Sequence, residues 1–360
     1  MPTTDELSTP VVLADRTRVA ENIRSMQAVC DAHRVELRPH IKTHKMVEVA
    51  RQQLAAGAKG LTCAKLSEAE AMIPSGAQSI FVAHSLVDVR VAPRLAALAS
   101  QVRDLRVAAT SEDQVAALEL LAAHAGLKLS VMMAVDTGLG REGVRDEASA
   151  QRLAKKIAGS SRLQLAGFYT HEGHFYGVAP SDLSARATAV VDQLCNLRDR
   201  IDPALPIWPG CSVTARWMAE TGRPQAVRPG AYVFGDLHLT HVCRVMNPSD
   251  AAITILATVI DRPESGLALI DAGSKTFSSD RTAAGVHGLS TDGRDLAIVR
   301  VNEEHGYVRG RDVDSLRVGD RLTFEPAHVC TVINLTDKVV VTENGNTFGT
   351  WSVDARGCTR

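Results

Sequence analysis

The string Arg38-Pro39-His40-Ile41-Lys42-Thr43-His44-Lys45 sets one lysine between histidines and further cations. An amine enclosed by the walls of a fold and flanked by cations loses pKa and becomes a nucleophile for carbonyl groups, which makes Lys42 a candidate for Schiff-base chemistry. A second kind of chemistry is suggested by Gly210-Cys211-Ser212-Val213-Thr214, where two hydroxyls and a glycine stand together without bulky side chains. Such a turn is suited to a phosphate, which needs several donors converging on it. A third is suggested by His328 and Cys330, two residues apart in a segment that reads as a strand, so that both side chains face one way. That is metal-ligand spacing, although an isolated H-x-C is far more often structural, because zinc normally takes three or four protein ligands.

These residues need elements to hold them. From about residue 15, short β-rich runs alternate with amphipathic helical stretches, the pattern of parallel βαβ units. The runs are Glu36–Ile41, Gly60–Ala64, Ser79–Ala83, Leu105–Ala109, Lys128–Val135, Leu163–Tyr169, Leu205–Pro209 and Val227–Val233. Helical spacing of Val47, Ala50 and Leu54 predicts a helix over Met46–Ala56, and Ser111 is placed to cap another over Ser111–His124. Eight β/α repeats predict an α/β fold of the TIM-type (β/α)8 class. After about residue 240 the texture changes to strands at Thr254–Ile260, Ala268–Asp271, Leu296–Val301, Arg321–Glu325 and Lys338–Thr342, joined by Gly- and Asp-containing turns. The expected division is therefore a barrel over residues 1–240 and a smaller all-β domain over 241–360 that carries the H-x-C pair. In a barrel, function gathers at the C-terminal ends of the strands. Lys42 follows the first run, Asp136 to Arg141 the fifth, His171 to Tyr176 the sixth, Gly210 to Thr214 the seventh and Asp236 the eighth.

Composition narrows the partners. Apolar residues make up 45% and charged residues 22% of 360, an ordinary globular balance with enough apolar surface for a packed core. Forty basic against forty-one acidic residues leave a net charge of −1, so no global field attracts nucleic acid or an anionic membrane. A small-molecule partner is expected. No apolar run approaches membrane-spanning length and no basic-then-apolar leader opens the chain, which predicts a cytoplasmic protein. The seven cysteines are scattered without a C-x-x-C pair, which argues against a disulfide framework.

Eight pieces occur in order: R-P-H-I-K-T-H-K (38–45), V-D-T-G-L-G-R-E-G-V (135–144), G-F-Y-T-H-E-G-H-F-Y (167–176), R-P-G-A-Y-V-F-G-D (228–236), D-A-G-S-K (271–275), E-E-H-G (303–306), H-V-C (328–330) and A-R-G (355–357). Over nearly the whole chain they resemble the fold-type III pyridoxal phosphate (PLP) enzymes, within them the D-serine dehydratase and D-threonine aldolase group. The resemblance implies a PLP-binding barrel followed by a β-domain, a homodimer, and Lys42 as the lysine that carries the cofactor. It implies Arg141 beside the cofactor's phenolic oxygen, and Tyr169 and His171 flanking the pyridine ring, one by stacking and one by bonding its nitrogen. Lys45 is left as a solvated or supporting charge. Gly210, Ser212 and Thr214 then take the phosphate, with Gly230 and Tyr232 completing the cradle; Cys211 and Val213 depart from the family's pattern in that turn. His328 and Cys330 are implied as the metal pair, the cysteine pointing to zinc and to the dehydratase branch, whereas manganese or magnesium goes with the H-x-D of aldolases. Asp271 and His305 either support metal or substrate or are turn and capping residues.

The reaction so implied is the conversion of a D-β-hydroxy-α-amino acid, such as D-serine or D-3-hydroxyaspartate, to a keto acid and ammonia, with Lys42 moving the α-proton. The competing outcome is retro-aldol cleavage to glycine and an aldehyde, which needs a base for the β-hydroxyl; His174 is the candidate, though out of the register expected for the aldolase histidine. Amino-acid racemization ranks lower because it has no use for the H-V-C pair. A non-catalytic PLP carrier ranks lower because such proteins lack a second domain.

Overall fold

The computed structural model describes residues 3–360, and its internal contacts divide the chain into two compact units. One comprises Ser25–Lys42, Val49–Gly230 and Cys358–Arg360; the other comprises the residues up to Arg24, Thr43–Glu48 and Ala231–Gly357. The main change of unit falls between Gly230 and Ala231, and two earlier segments of the chain belong to the second unit.

The chain enters through strand β1 (Val11–Asp15) and helix α1 (Arg16–Ala32), and then alternates. The succession is β2 (Glu36–Leu37), α2 (Val47–Ala55), β3 (Leu61–Cys63), α3 (Leu66–Ala71), β4 (Ser79–Val82), α4 (Ala92–Ala99), β5 (Asp104–Ala109), α5 (Glu112–Ala125), β6 (Leu129–Ala134), α6 (Glu147–Ala158), β7 (Leu163–Tyr169), α7 (Pro180–Asp199), β8 (Ile207–Trp208), α8 (Ala215–Glu220) and β9 (Ala226–Val227). Strands β3 to β8 form a six-stranded parallel sheet in sequence order, and β2 pairs in parallel with β9. A bridge between His40 and Thr62 carries β2 onto β3, and the Gln225 N–H donates to the Ile207 carbonyl at 3.2 Å, carrying β8 onto β9. The ring is of TIM type. Strands covered on both faces are buried along their length: all four residues of β4 are, with the apolar run Ile80–Val82 following Ser79. The expected run Val227–Val233 is shorter, because Pro229 cannot donate to a ladder and Ala231–Val233 turns helically instead.

An aromatic layer fills the ring. Phe81 meets Tyr169 edge-on at 4.9 Å and Trp208 at 5.8 Å, with Met132 in the same cluster. Arg38 and Arg106 lie against Trp208 at 4.3 and 4.5 Å, and both reach a shared polar chain at the starts of β4 and β5. There Arg38 Nη1 donates to Ser79 Oγ (2.6 Å), Ser79 to Asp104 Oδ2 (2.7 Å), and Arg106 Nε to Asp104 Oδ1 (3.1 Å). Pairing and hydrogen bonding are what make buried charge tolerable. Across the layer, Arg228 lies over Tyr169 at 5.1 Å and donates Nε to the Trp208 carbonyl at the end of β8.

The other unit is β-rich: β10 (Ile253–Glu264), β11 (Leu267–Ile270), β12 (Gly288–Ser290), β13 (Ala297–Val301), β14 (Gly306–Arg309), β15 (Arg321–Pro326), β16 (Lys338–Glu343) and β17 (Asn346–Ser352), with short helices α9 (Ser274–Phe277) and α10 (Val329–Leu335). The sheet order is β11-β14-β13-β12-β15-β10-β1-β16-β17, and an additional β11–β10 pairing rolls its first part into a barrel. Strand β1 runs antiparallel to β10 and parallel to β16. Among the described residues no helix is long and apolar enough to cross a membrane.

Candidate active site

Lys42 follows the end of β2, Asp136–Arg141 the end of β6, His171 and Glu172 the end of β7, Gly210–Thr214 joins β8 to α8, and Arg228–Gly230 follows β9. All belong to the barrel unit and stand at the C-terminal ends of its strands. Their charges interact. Burial and then Lys42, Arg228, His171 and Arg141 hold His40 well below the ordinary histidine value. Burial followed by Lys42, Arg141 and Arg228 takes His171 down to about 3. Two neutral imidazoles therefore sit among three cations. Arg141, Tyr169 and His171 line one small cleft. The Tyr169 hydroxyl is buried there with no hydrogen-bond partner among the described residues, and burial raises its pKa. A mouth with three cations, a half-buried lysine among them, and an unmatched phenol suits an anionic ligand that reacts with amines.

The expected phosphate turn is built between β8 and α8, but its donors are distributed unexpectedly. Gly210 N–H and the Thr214 hydroxyl both bond Glu172, at 3.1 and 3.2 Å, so these two are directed at a buried carboxylate. Ser212 Oγ accepts the Gly230 N–H at 3.1 Å, which joins the two expected halves of the cradle. Tyr232 is buried in the turn Ala231–Val233 of the β-rich unit. His174 lies in the turn Gly173–Phe175; its Nδ1 is buried without a partner among the described residues, and burial lowers its pKa. Arg141 is exposed and reaches Glu142 at 3.3 Å. Its loop is held by Asp136, whose Oδ1 accepts the N–H of Gly138 (3.1 Å) and Gly140 (3.0 Å) while Oδ2 accepts Arg145 Nε (3.1 Å).

His328 and Cys330 are not on a strand. Strand β15 stops at Pro326, His328 is the extended residue just before α10, and Cys330 stands in the first turn of that helix. Residues two apart at a helix start do not share a face by alternation; the pair meets because the chain bends there, and the two side chains hydrogen-bond. Burial works against protonation of His328, but the bond to and charge of Cys330, then Asp236 and Asp280, push it up to about 10. Its Nδ1 lies 2.7 Å from Asp280 Oδ2, and Cys330 Sγ lies 3.2 Å from Thr43 Oγ1. Among the described residues, no group of three or more His, Cys, Asp or Glu side chains is assembled to hold a metal. A carboxylate on Nδ1 is how a metal-bound histidine is usually oriented, leaving Nε2 as the ligand atom.

Asp271 accepts the Thr9 hydroxyl (2.5 Å) and the Thr258 N–H (2.8 Å), and His305 is exposed in the turn between β13 and β14. Lys45 is buried and donates to Asn334 Oδ1 at 2.9 Å, a supporting charge rather than a solvated one. Glu172, Arg228 and Asp136 lay inside quoted motifs but, like Asp280, were given no site role of their own from sequence; an acid adjoining a candidate histidine was the available signal for Glu172.

Comparison with known proteins agrees with this geometry. The family described as "Alanine racemase, N-terminal domain" matches residues 14–238, and "Putative serine dehydratase domain" matches 252–342. The chain belongs to the fold-type III PLP enzymes. Within this family it is similar to a D-threonine aldolase of Arthrobacter sp, 30% identical over 98% of this chain and 94% of the relative. It is also similar to the D-threo-3-hydroxyaspartate dehydratase of Delftia sp. (strain HT23), 32% identical over 90% and 91%. A variant D-threo-3-hydroxyaspartate dehydratase, solved in its metal-free form, superposes with TM-score 0.87 at 28% identity over 98% and 99%. The D-threonine aldolase of Filomicrobium marinum superposes with TM-score 0.89 at 27% identity over 99% and 97%. Like these relatives, the chain is a PLP-dependent lyase.

Proposed function

We propose that this lyase is metal-dependent as well as PLP-dependent, acts on D-β-hydroxy-α-amino acids, and dehydrates D-serine or D-3-hydroxyaspartate to a keto acid and ammonia. The observation that carries the dehydratase choice is the His328–Cys330 pair with Asp280 behind its histidine. Imidazole and thiolate together favour zinc over the harder ions, and two protein ligands leave the remaining positions open.

The barrel residues fit PLP. Lys42 supplies the amine, Ser212 and its loop the phosphate contacts, Arg141 and Arg228 compensating charge, and Tyr169 a hydroxyl in want of a partner. When bound, PLP supplies an electron sink and a divalent metal supplies a Lewis acid. The chain's own tasks are then to bind the D-amino acid, to orient its Cα–H towards Lys42 Nζ, and to accept that proton there. Neutral His40 and His171 keep further positive charge out of a mouth that already holds three cations. The homodimer expected from the resemblance belongs to the same proposal.

The aldolase outcome keeps one specific support: Nδ1 of His174 is buried without a partner among the described residues, and burial keeps the imidazole neutral, the form in which a base accepts a proton. Cys330→Ala tests the metal half of the proposal. It is expected to lose bound zinc and at least about 100-fold in activity while retaining PLP, on the scale of disrupting a metal ligand's environment. Full activity without added metal would refute the metal's role.

A further inference from the structure

Glu172 is fully buried, at 0% exposure, directly after His171, and both of its carboxylate oxygens are engaged by the β8–α8 loop. Oε1 accepts the Gly210 N–H at 3.1 Å and Oε2 the Thr214 hydroxyl at 3.2 Å. The Thr214 oxygen in turn accepts the Cys211 N–H at 3.3 Å, and the Cys211 thiol lies 3.8 Å from the Glu172 carbonyl. Gly210, Cys211 and Thr214 are thereby tied to one residue at the end of β7. Gly210 takes φ +110, a value that favours glycine, so the loop shape is a particular one that needs holding. Ser212, between the tethered residues, meets the Gly230 N–H at 3.1 Å. A buried carboxylate is costly, and this one has no exposed oxygen with which to reach a substrate; Arg228 provides its nearby positive charge.

We infer that Glu172 is a positioning residue for the cofactor's phosphate: it fixes the Gly210–Thr214 loop in the shape that receives a phosphate monoester. The inference rests on reading this loop as the phosphate site. It assigns Glu172 no part in proton transfer. Gly210 and Thr214 act through the loop's shape, their donors being directed at Glu172.

The test compares PLP with pyridoxal, which has the same aldehyde and ring but no phosphate, on full-length apoprotein of wild type, E172A and E172Q. Dissociation constants are read by absorbance titration, with thermal melting as a check of folding. E172A is expected to weaken PLP by about tenfold or more through the two donors left unmatched, with pyridoxal within about twofold of wild type. E172Q, which can accept only one of the two donors well, should fall between and carries the test if E172A does not fold. Equal weakening of PLP and pyridoxal would mean a general structural role and overturn the inference, as would unchanged PLP affinity. If wild type binds the two compounds equally and inorganic phosphate does not compete with PLP, the premise that this loop takes phosphate fails, and the inference fails with it.

Discussion

The two imidazoles at the strand ends are neutral because the fold surrounds them with burial and cations, and this has a measurable acid signature. His171 is carried from the ordinary histidine range to about 3, and His40 is lowered as well. Above about pH 6.5 the folded and unfolded chains both hold these rings neutral, so they contribute no pH dependence. As pH falls through that value the unfolded chain takes up protons that the folded chain refuses, and stability declines by up to about 1.4 kcal/mol per pH unit per group. Urea unfolding of the apoprotein between pH 7 and pH 5 is expected to show this slope, and His171→Gln is expected to flatten it. An unchanged slope in the variant would mean that His171 is protonated in the folded state. Lys42, Arg141 and His171 were legible from residue type and place after a strand. Glu172 and Arg228 were less so, because their work is done through hydrogen bonds to backbone groups 38 and 58 residues away.

At the scale of elements, the pairing of β6 with β7 carries a register shift between Val131 and Met132, which leaves Ala166 unpaired just before Gly167. Gly167 has φ +144, and a Cβ there would stand 2.6 Å from the Pro206 carbonyl oxygen. An added residue in one strand changes which face the following side chains take, so the irregularity helps turn Tyr169 into the ring's aromatic layer. Gly167→Ala is expected to destabilise the protein by roughly 3 kcal/mol in urea unfolding, through strain and close contact together. A loss under about 1 kcal/mol would show that the strand relaxes around the methyl group. The strands and helices of the barrel were readable because apolar runs and helical spacing are local properties; Ser111 does cap α5, accepting the Gln114 N–H at 3.2 Å. The H-V-C segment was not, since a short β-branched run suits strand or helix equally, and the outcome was settled by β15 ending at Pro326 and a new helix beginning at Val329.

Across the whole molecule, the chain's first strand belongs to the β-rich unit. Leu13 pairs with Thr254 on one side and Val340 on the other, partners more than two hundred residues distant in sequence. No local pattern announces such a pairing, which is why a division at residue 240 was expected. Removing residues 1–15 is expected to leave β10 and β16 as unpaired edges and to yield insoluble protein; soluble protein with an unchanged melting temperature would show β1 to be dispensable. The central claim, that this PLP enzyme eliminates the β-hydroxyl rather than cleaving the Cα–Cβ bond, is tested most directly by product analysis. PLP- and zinc-loaded protein is incubated with D-serine, D-threonine and D-threo-3-hydroxyaspartate. Keto acid and ammonia in equal amounts, from D-serine or the hydroxyaspartate, is the predicted result; glycine and an aldehyde as the products would contradict it and assign the β-hydroxyl proton to a base such as His174.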